Sequence, residues 1–124
     1  MPGNETERIL DGESLKAWGA LTSDDGGHFI RDVVGVFISA SNEVITNMRH
    51  ATEAGDRAEL KRLAHKLRGS SSSVGATALA NRCSEFEAGV IGGHVDIQAG
   101  FRAIEKAFDA VATQLRKEYL QPED

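Results

Sequence analysis

Proline occurs at positions 2 and 122 of this 124-residue chain and nowhere between. An internal proline removes a helical hydrogen bond and costs about 3 kcal/mol. Its absence leaves nearly the whole chain open to long helices, and punctuation falls to glycine. The aromatic content is 6%, and Ala, Glu, Lys and Arg, all good helix formers, are abundant. An all-α chain is expected, of a length that suits one domain rather than two.

Apolar spacing locates the helices. Leu15, Trp18 and Leu21 mark a short segment, Glu13 to Leu21, that Asp11 could cap. Gly26-Gly27 opens a long pattern carrying Ile30, Val33, Phe37, Val44, Ile45 and Met48. It runs to Ala54, a helix of roughly 28 residues and about 40 Å, with a bend plausible near Gly35 and Ser39–Ser41. Gly55-Asp56 is a stop followed by a start. Glycine suits the left-handed residue after a helix, and Asp56 with Glu59 three residues later forms a capping-box pattern. The following helix, 57–71, carries Leu60, Leu63, Ala64 and Leu67 and is expected to fade within Ser70–Gly75. Another begins near Ala76 with Leu79, Cys83, Phe86 and Val90 on one stripe, and ends at Gly92-Gly93. Asp96 caps the last, whose Ile97, Phe101, Ile104, Phe108, Val111 and Leu115 recur at intervals of three and four. The expected architecture is an antiparallel four-helix bundle with a short extra N-terminal helix, one domain over 5–120 and a tail over 121–124.

Charge narrows the function. The formal net charge is −5, which disfavours nucleic acid as a partner. The lone cysteine, Cys83, lies on an apolar stripe and reads as a small buried hydrophobe, consistent with a reducing compartment. No signal-peptide pattern opens the chain and no apolar run reaches the ~20 residues of a membrane span. A soluble, cytoplasmic protein without membrane contact is expected. His28, His50 and His94 share no i, i+4 spacing with one another, so no metal site is expected. No glycine-rich nucleotide loop is present.

One residue departs from this bland surface. On a helical wheel His65 lies about 150° from the centre of the Leu60–Leu63–Ala64–Leu67 cluster, facing outward. Lys61, Arg62, Arg68, Gly69 and Ser72 fall on its side. Between Asp56 and Arg68 there are five basic and two acidic residues, a local reversal of sign in an acidic chain. A neutral imidazole is a competent nucleophile near neutral pH. Arg68 could donate to the oxygens of a phosphoryl group on the ring, Lys61 and Arg62 could lower the cost of its charge, and Gly69 leaves space for a partner. The wheel alone does not separate this reading from an ordinary solvated face.

The run His65-Lys66-Leu67-Arg68-Gly69-Ser70-Ser71, followed by Val74-Gly75-Ala76, Leu79-Ala80, Cys83 and Phe86-Glu87, resembles the signature of the histidine-containing phosphotransfer (HPt) domains of two-component phosphorelays. The Gly55-Asp56 lead-in is similar as well, and Ile9-Leu10-Asp11 and Phe37 suit the N-terminal half. The family's usual lysine three residues after the histidine is Arg68 here, a planar fork instead of a point cation. The resemblance implies a phosphorelay intermediate with His65 as phosphoacceptor and Arg68 and Gly69 beside it. Lys61, Arg62, Ser70, Ser72 and Glu87 are supporting candidates, and Glu87 could accept from the ring Nδ1–H.

The implied partners are response-regulator receiver domains or a hybrid histidine kinase. They would meet an apolar rim drawn from Leu15, Phe29, Val33 and Val36. The resemblance further implies no kinase activity, no cofactor (magnesium belonging to the receiver) and a monomer. The alternatives are a helical adaptor that binds receivers without chemistry, or a phosphoacceptor domain cut from a larger histidine kinase. Met1 and the polar end Gln121–Asp124 favour a stand-alone chain.

Overall fold

Long amphipathic runs without proline have one way to hide their apolar stripes, which is to pack against one another. The computed structural model describes residues 8–11, 15, 28–93 and 96–120. Among these are four helices, which we label α1 (His28–Ala54), α2 (Arg57–Ser73), α3 (Thr77–Gly92) and α4 (Ile97–Leu115). A single π-helical turn, Arg116–Leu120, extends α4. The described residues contain no strand. The expected N-terminal helix over Glu13 to Leu21, with its Asp11 cap and Trp18, lies outside the described residues except for Leu15, which is helical and buried.

Each helix end has a local cause. The Asp56 side chain accepts from the Glu59 amide at 3.1 Å, and Asp96 accepts from that of Ala99 at the same distance. Both satisfy donors that a helix start leaves unpaired. Gly55 takes φ +68° after α1 and Gly75 takes φ +78° between α2 and α3, a region that costs residues with a Cβ.

Helix α1 runs unbroken through Gly35 and Ser39–Ser41. Helix α2 extends two residues beyond the expected span, through the serine run to Ser73. There the Ser70 and Ser73 hydroxyls donate to carbonyls of their own helix, Leu67 and Gly69, each at 3.2 Å, and Ser71 is fully buried. The serines therefore continue the helix, and Val74-Gly75-Ala76 make the turn.

Helix α2 packs on α3 and α1, and α4 packs on α3 and α1. Leu60, Leu63, Ala64 and Leu67 of α2 meet Leu79, Cys83, Phe86 and Val90 of α3 within one core that α1 and α4 complete. Phe37 and Phe108 face each other across α1 and α4 with ring centroids 6.4 Å apart. On the rim of that interface Arg49 reaches Glu105 at 2.6 Å and lies over the Phe101 ring. Residues 8–11 drape across the α2–α3 turn, where the Asp11 amide donates to Gly75 at 2.6 Å and Ala78 donates to the Arg8 carbonyl at 2.9 Å.

The buried and exposed faces of α2 should separate in a stability measurement. Leu67→Ala empties a fully buried site and is expected to lower the unfolding free energy by about 2–5 kcal/mol. His65→Gln, on the opposite face, should change it by less than about 0.5 kcal/mol. Urea denaturation of the two variants checks both.

Candidate functional site

The apolar stripe of α2 turns Leu60, Leu63, Ala64 and Leu67 inward, so the residues between them are forced outward. His65 is one of these, and its side chain is 61% exposed. The ring nevertheless has a fixed partner. Glu87 of α3 places its Oε2 3.1 Å and its Oε1 3.3 Å from Nδ1. Because α2 runs on to Ser73 and α3 begins at Thr77, the turn is centred at Gly75, ten residues after His65 and twelve before Glu87. A hairpin centred on residues 73–74 would have left Glu87 a turn away. The serine run that lengthens α2 moves the turn toward α3 and brings Glu87 nearer the level of His65, within side-chain reach.

Arg68, one turn along α2, closes the group. Its terminal nitrogen lies 3.2 Å from Nδ1 and its Nε lies 3.7 Å from Glu87 Oε1. A ring nitrogen donates or accepts, but does not do both, whereas a carboxylate can only accept and a guanidinium can only donate. Both Glu87 oxygens converge on Nδ1, and the carboxylate is only 18% exposed, so its need for a donor is strong. Nδ1 therefore carries the proton and donates to Glu87, while Arg68 supplies positive charge beside the carboxylate. Nε2 is left with its lone pair, and it receives no hydrogen bond among the described residues.

The other candidates are placed as follows. Lys61 is exposed, with no carboxylate partner among the described residues, and it lines a shallow hollow with Ala58, Arg62, His65 and Glu87. Arg62 borders the same hollow, but its guanidinium is engaged by Glu59 in a two-pronged contact at 2.6 and 2.9 Å. That pairing holds the Glu59 carboxyl below its usual range, and much of the Arg62 charge is thereby compensated. A Cβ added at Gly69 would meet nothing within 4 Å, so the face one turn beyond His65 is open. Ser72 is exposed, whereas the Ser70 hydroxyl is turned back onto its helix. Cys83 is fully buried, and burial pushes its thiol up to about 12.

An open apolar groove of about 360 Å³ lies between α1 and α2, lined by Val33, Val36, Phe37, Ala40 and Val74, with Asp32, Ser70 and Ser73 at its margins. Of the expected apolar rim, Val36 is 68% exposed, and Phe29 and Val33 are half-buried. Leu15 does not belong to that rim. It is 2% exposed and part of the core, because its apolar side chain gains more from that packing than from a place on the surface.

At His65 the helical bundle presents an exposed histidine, held at Nδ1 by a carboxylate of the neighbouring helix and flanked by cations. Residues 32–118 match the model of the Hpt domain family, and the chain belongs to that family. Among solved structures it is similar to histidine-containing phosphotransfer protein B (HptB) from Pseudomonas aeruginosa PAO1. The TM-score is 0.82 and the identity 25%, over 93% of this chain and 97% of that one. Among curated proteins it is 32% identical over 69 residues to pseudo histidine-containing phosphotransfer protein 2 of Oryza sativa subsp. japonica. That match covers 54% of this chain and 46% of the rice protein, so the chain spans about half the length of the curated relative.

The Cys83 thiol offers a check on the buried side of the site. Thiolate is the reactive form, and a thiol pushed up to about 12 stays protonated throughout the neutral and mildly alkaline range. At pH 8 the native protein should resist a thiol reagent such as dithionitrobenzoate, whereas the urea-unfolded protein reacts to completion. The same shift favours the native state below the thiol's unfolded value, and this contribution is lost as pH rises through about 12.

Proposed function

We propose that this chain is a phosphorelay intermediate that carries a phosphoryl group on His65. Nε2 attacks the aspartyl phosphate of a receiver domain, or accepts the group from a partner kinase, and later yields it to another receiver's aspartate. One observation carries this reading. The His65 ring is held at Nδ1 by Glu87 and exposes Nε2 to water, which is the arrangement a nitrogen nucleophile needs if its target arrives on another protein.

The surroundings suit the visitor. A phosphoryl group brings close to two negative charges. Lys61 is available to meet it at the surface, and Arg68 is near enough to turn from the Nδ1 edge of the ring toward oxygens on Nε2. Receiver domains reach the ring across the open face at Gly69, and the groove between α1 and α2 gives their apolar side chains a place to settle, with Val36 at its edge. A basic strip on an acidic protein steers an acidic phosphorylation pocket toward the histidine.

The chain acts as a carrier and not as a kinase. It takes no cofactor of its own, and magnesium is supplied by the receiver's carboxylates. It works as a cytoplasmic monomer. An adaptor that binds receivers without chemistry is the second reading, favoured by the word "pseudo" in the name of the rice relative. That word belongs to the rice protein. Here an exposed histidine, its carboxylate and its cations stand together, a combination that docking alone does not require.

Incubation with a receiver carrying labelled phosphate tests the carrier reading directly. Label should move to the wild type and not to His65→Gln. Label on both proteins, or on neither across the receivers of the source genome, rejects it. Gly69 supplies a separate check on docking. Gly69→Ala should stabilise α2 by about 0.5–1 kcal/mol, because the added methyl meets nothing. Gly69→Leu should fold equally well and reduce the transfer rate tenfold or more, by standing where the partner lands. Thermal melts and transfer kinetics on the same samples read both effects.

A further inference from the structure

Along α2, His65 sits between two unlike surfaces. On its C-terminal side lies the apolar groove, to which α2 contributes Ser70, Ser73 and Val74. On its N-terminal side lies the hollow lined by Ala58, Lys61 and Arg62, with Glu87 from α3. Apolar burial is non-directional and holds many partners alike. Charge at the rim of an interface sets the rate of approach and rejects wrong partners. Discrimination therefore belongs to the basic end, and that end is governed by the state of Arg62.

Arg62 donates from Nε to Glu59 Oε1 at 2.9 Å and from a terminal nitrogen to Oε2 at 2.6 Å, a fork that engages both carboxylate oxygens. Through these hydrogen bonds each side chain holds the other in its charged form, the Glu59 carboxyl below its usual range and the Arg62 guanidinium above. The sequence pattern offers Glu59 a different task, which is to reach back to the Asp56 amide and close a capping box. That half of the box is not made. The Asp56 amide donates to the Ala51 carbonyl at 2.9 Å, and Asp56 caps α2 through the Glu59 backbone amide, which another side chain at that position would leave in place. The hydrogen bonds that start α2 thus make no use of the Glu59 carboxylate, which is turned to Arg62 instead.

The pair opens easily. The Arg62 side chain is 61% exposed and that of Glu59 37%, and ion pairs so placed contribute little in water. A partner carboxylate brought to the hollow can replace Glu59 on the guanidinium at small cost. A partner whose negative charge lies elsewhere finds Arg62 already compensated and has only Lys61 to attract it. We propose that Glu59 is a specificity-determining residue of the docking face, which by holding Arg62 reserves that cation for receivers that present an acidic side chain to the hollow. Wrong partners with a merely acidic surface gain little from Arg62 and are repelled by Glu59, so a contact is withheld from them that the right partner can claim. The proposal rests on receivers docking at His65 and adds the chemistry of the preferred one, a carboxylate placed over the first two turns of α2.

The test compares the full chain as wild type, Glu59→Ala and Glu59→Ala/Arg62→Gln against the receivers of the source genome. Alanine is used because a glutamine oxygen could still accept from the guanidinium. Stopped-flow association at low and high ionic strength is measured beside transfer of labelled phosphate on the same samples. At low ionic strength Glu59→Ala should raise association rates about two- to fivefold, most for the receivers that the wild type engages weakly, so that the spread between strongest and weakest narrows. The gain should vanish in high salt and be lost when Arg62→Gln is added. Asp109→Ala, which removes an exposed acid of α4, changes the net charge equally and should not narrow the spread. Unchanged rates in Glu59→Ala, an equal gain for every receiver, a gain that survives Arg62→Gln, or the same narrowing in Asp109→Ala overturns the proposal. Absence of binding by every receiver overturns it together with the docking face. If binding discriminates in this way but no label reaches His65, the relay reading falls and the role of Glu59 stands.

Discussion

The packing of α2 against α3 is the constraint on which the rest depends. Leu60, Leu63, Ala64 and Leu67 on one helix and Leu79, Cys83 and Phe86 on the other lose nearly all contact with water, and interiors of this kind tolerate little slippage. That fit fixes the rotation and the height of both helices. The side chains at the seam's edge inherit their positions from it. His65 and Glu87 are edge residues of this sort. Neither contributes much to the core, yet the core decides that they meet.

The arrangement divides labour around one helix. The inner face of α2 holds the bundle together and the outer face presents His65 and its cations, with about half a turn between them. Substitutions on the outer face can therefore change what the surface presents with little effect on folding. The open position at Gly69 belongs to the same face: glycine in mid-helix weakens the helix, and here it leaves the surface one turn beyond His65 open.

Electrostatics at the site is more selective than a count of charges suggests. Five basic residues lie between Asp56 and Arg68, but they are not equivalent. Arg62 is tied to Glu59 and Arg68 attends the Nδ1 edge of the ring and Glu87, so Lys61 is the cation beside the ring that no carboxylate already claims among the described residues. The free ring accordingly meets a carboxylate from behind and a modest positive field in front. Arg68 lies beside both the ring and the carboxylate and supports Glu87 by its positive charge.

Much of this was legible in the residues themselves. The helical class follows from a proline-free interior, and the boundaries at Gly55-Asp56 and Gly92-Gly93 follow from capping chemistry that operates within a few residues. The outward direction of His65 follows from the 3.6-residue period alone, which is a local property of a helix. Distances between helices are a different matter. The serine run reads as a helix end because Ser competes with the backbone for hydrogen bonds, and only burial of Ser71 against its neighbours settles that α2 continues. That continuation moves the hairpin's centre to Gly75 and brings Glu87 within reach of His65. Likewise Leu15 looks like surface rim in sequence and is core in space, and Arg62 looks free and is paired. Local periodicity and capping decided which residues are helical and which way they face; which of them touch was decided by the mutual fit of four helices, a property that no single stretch of chain contains.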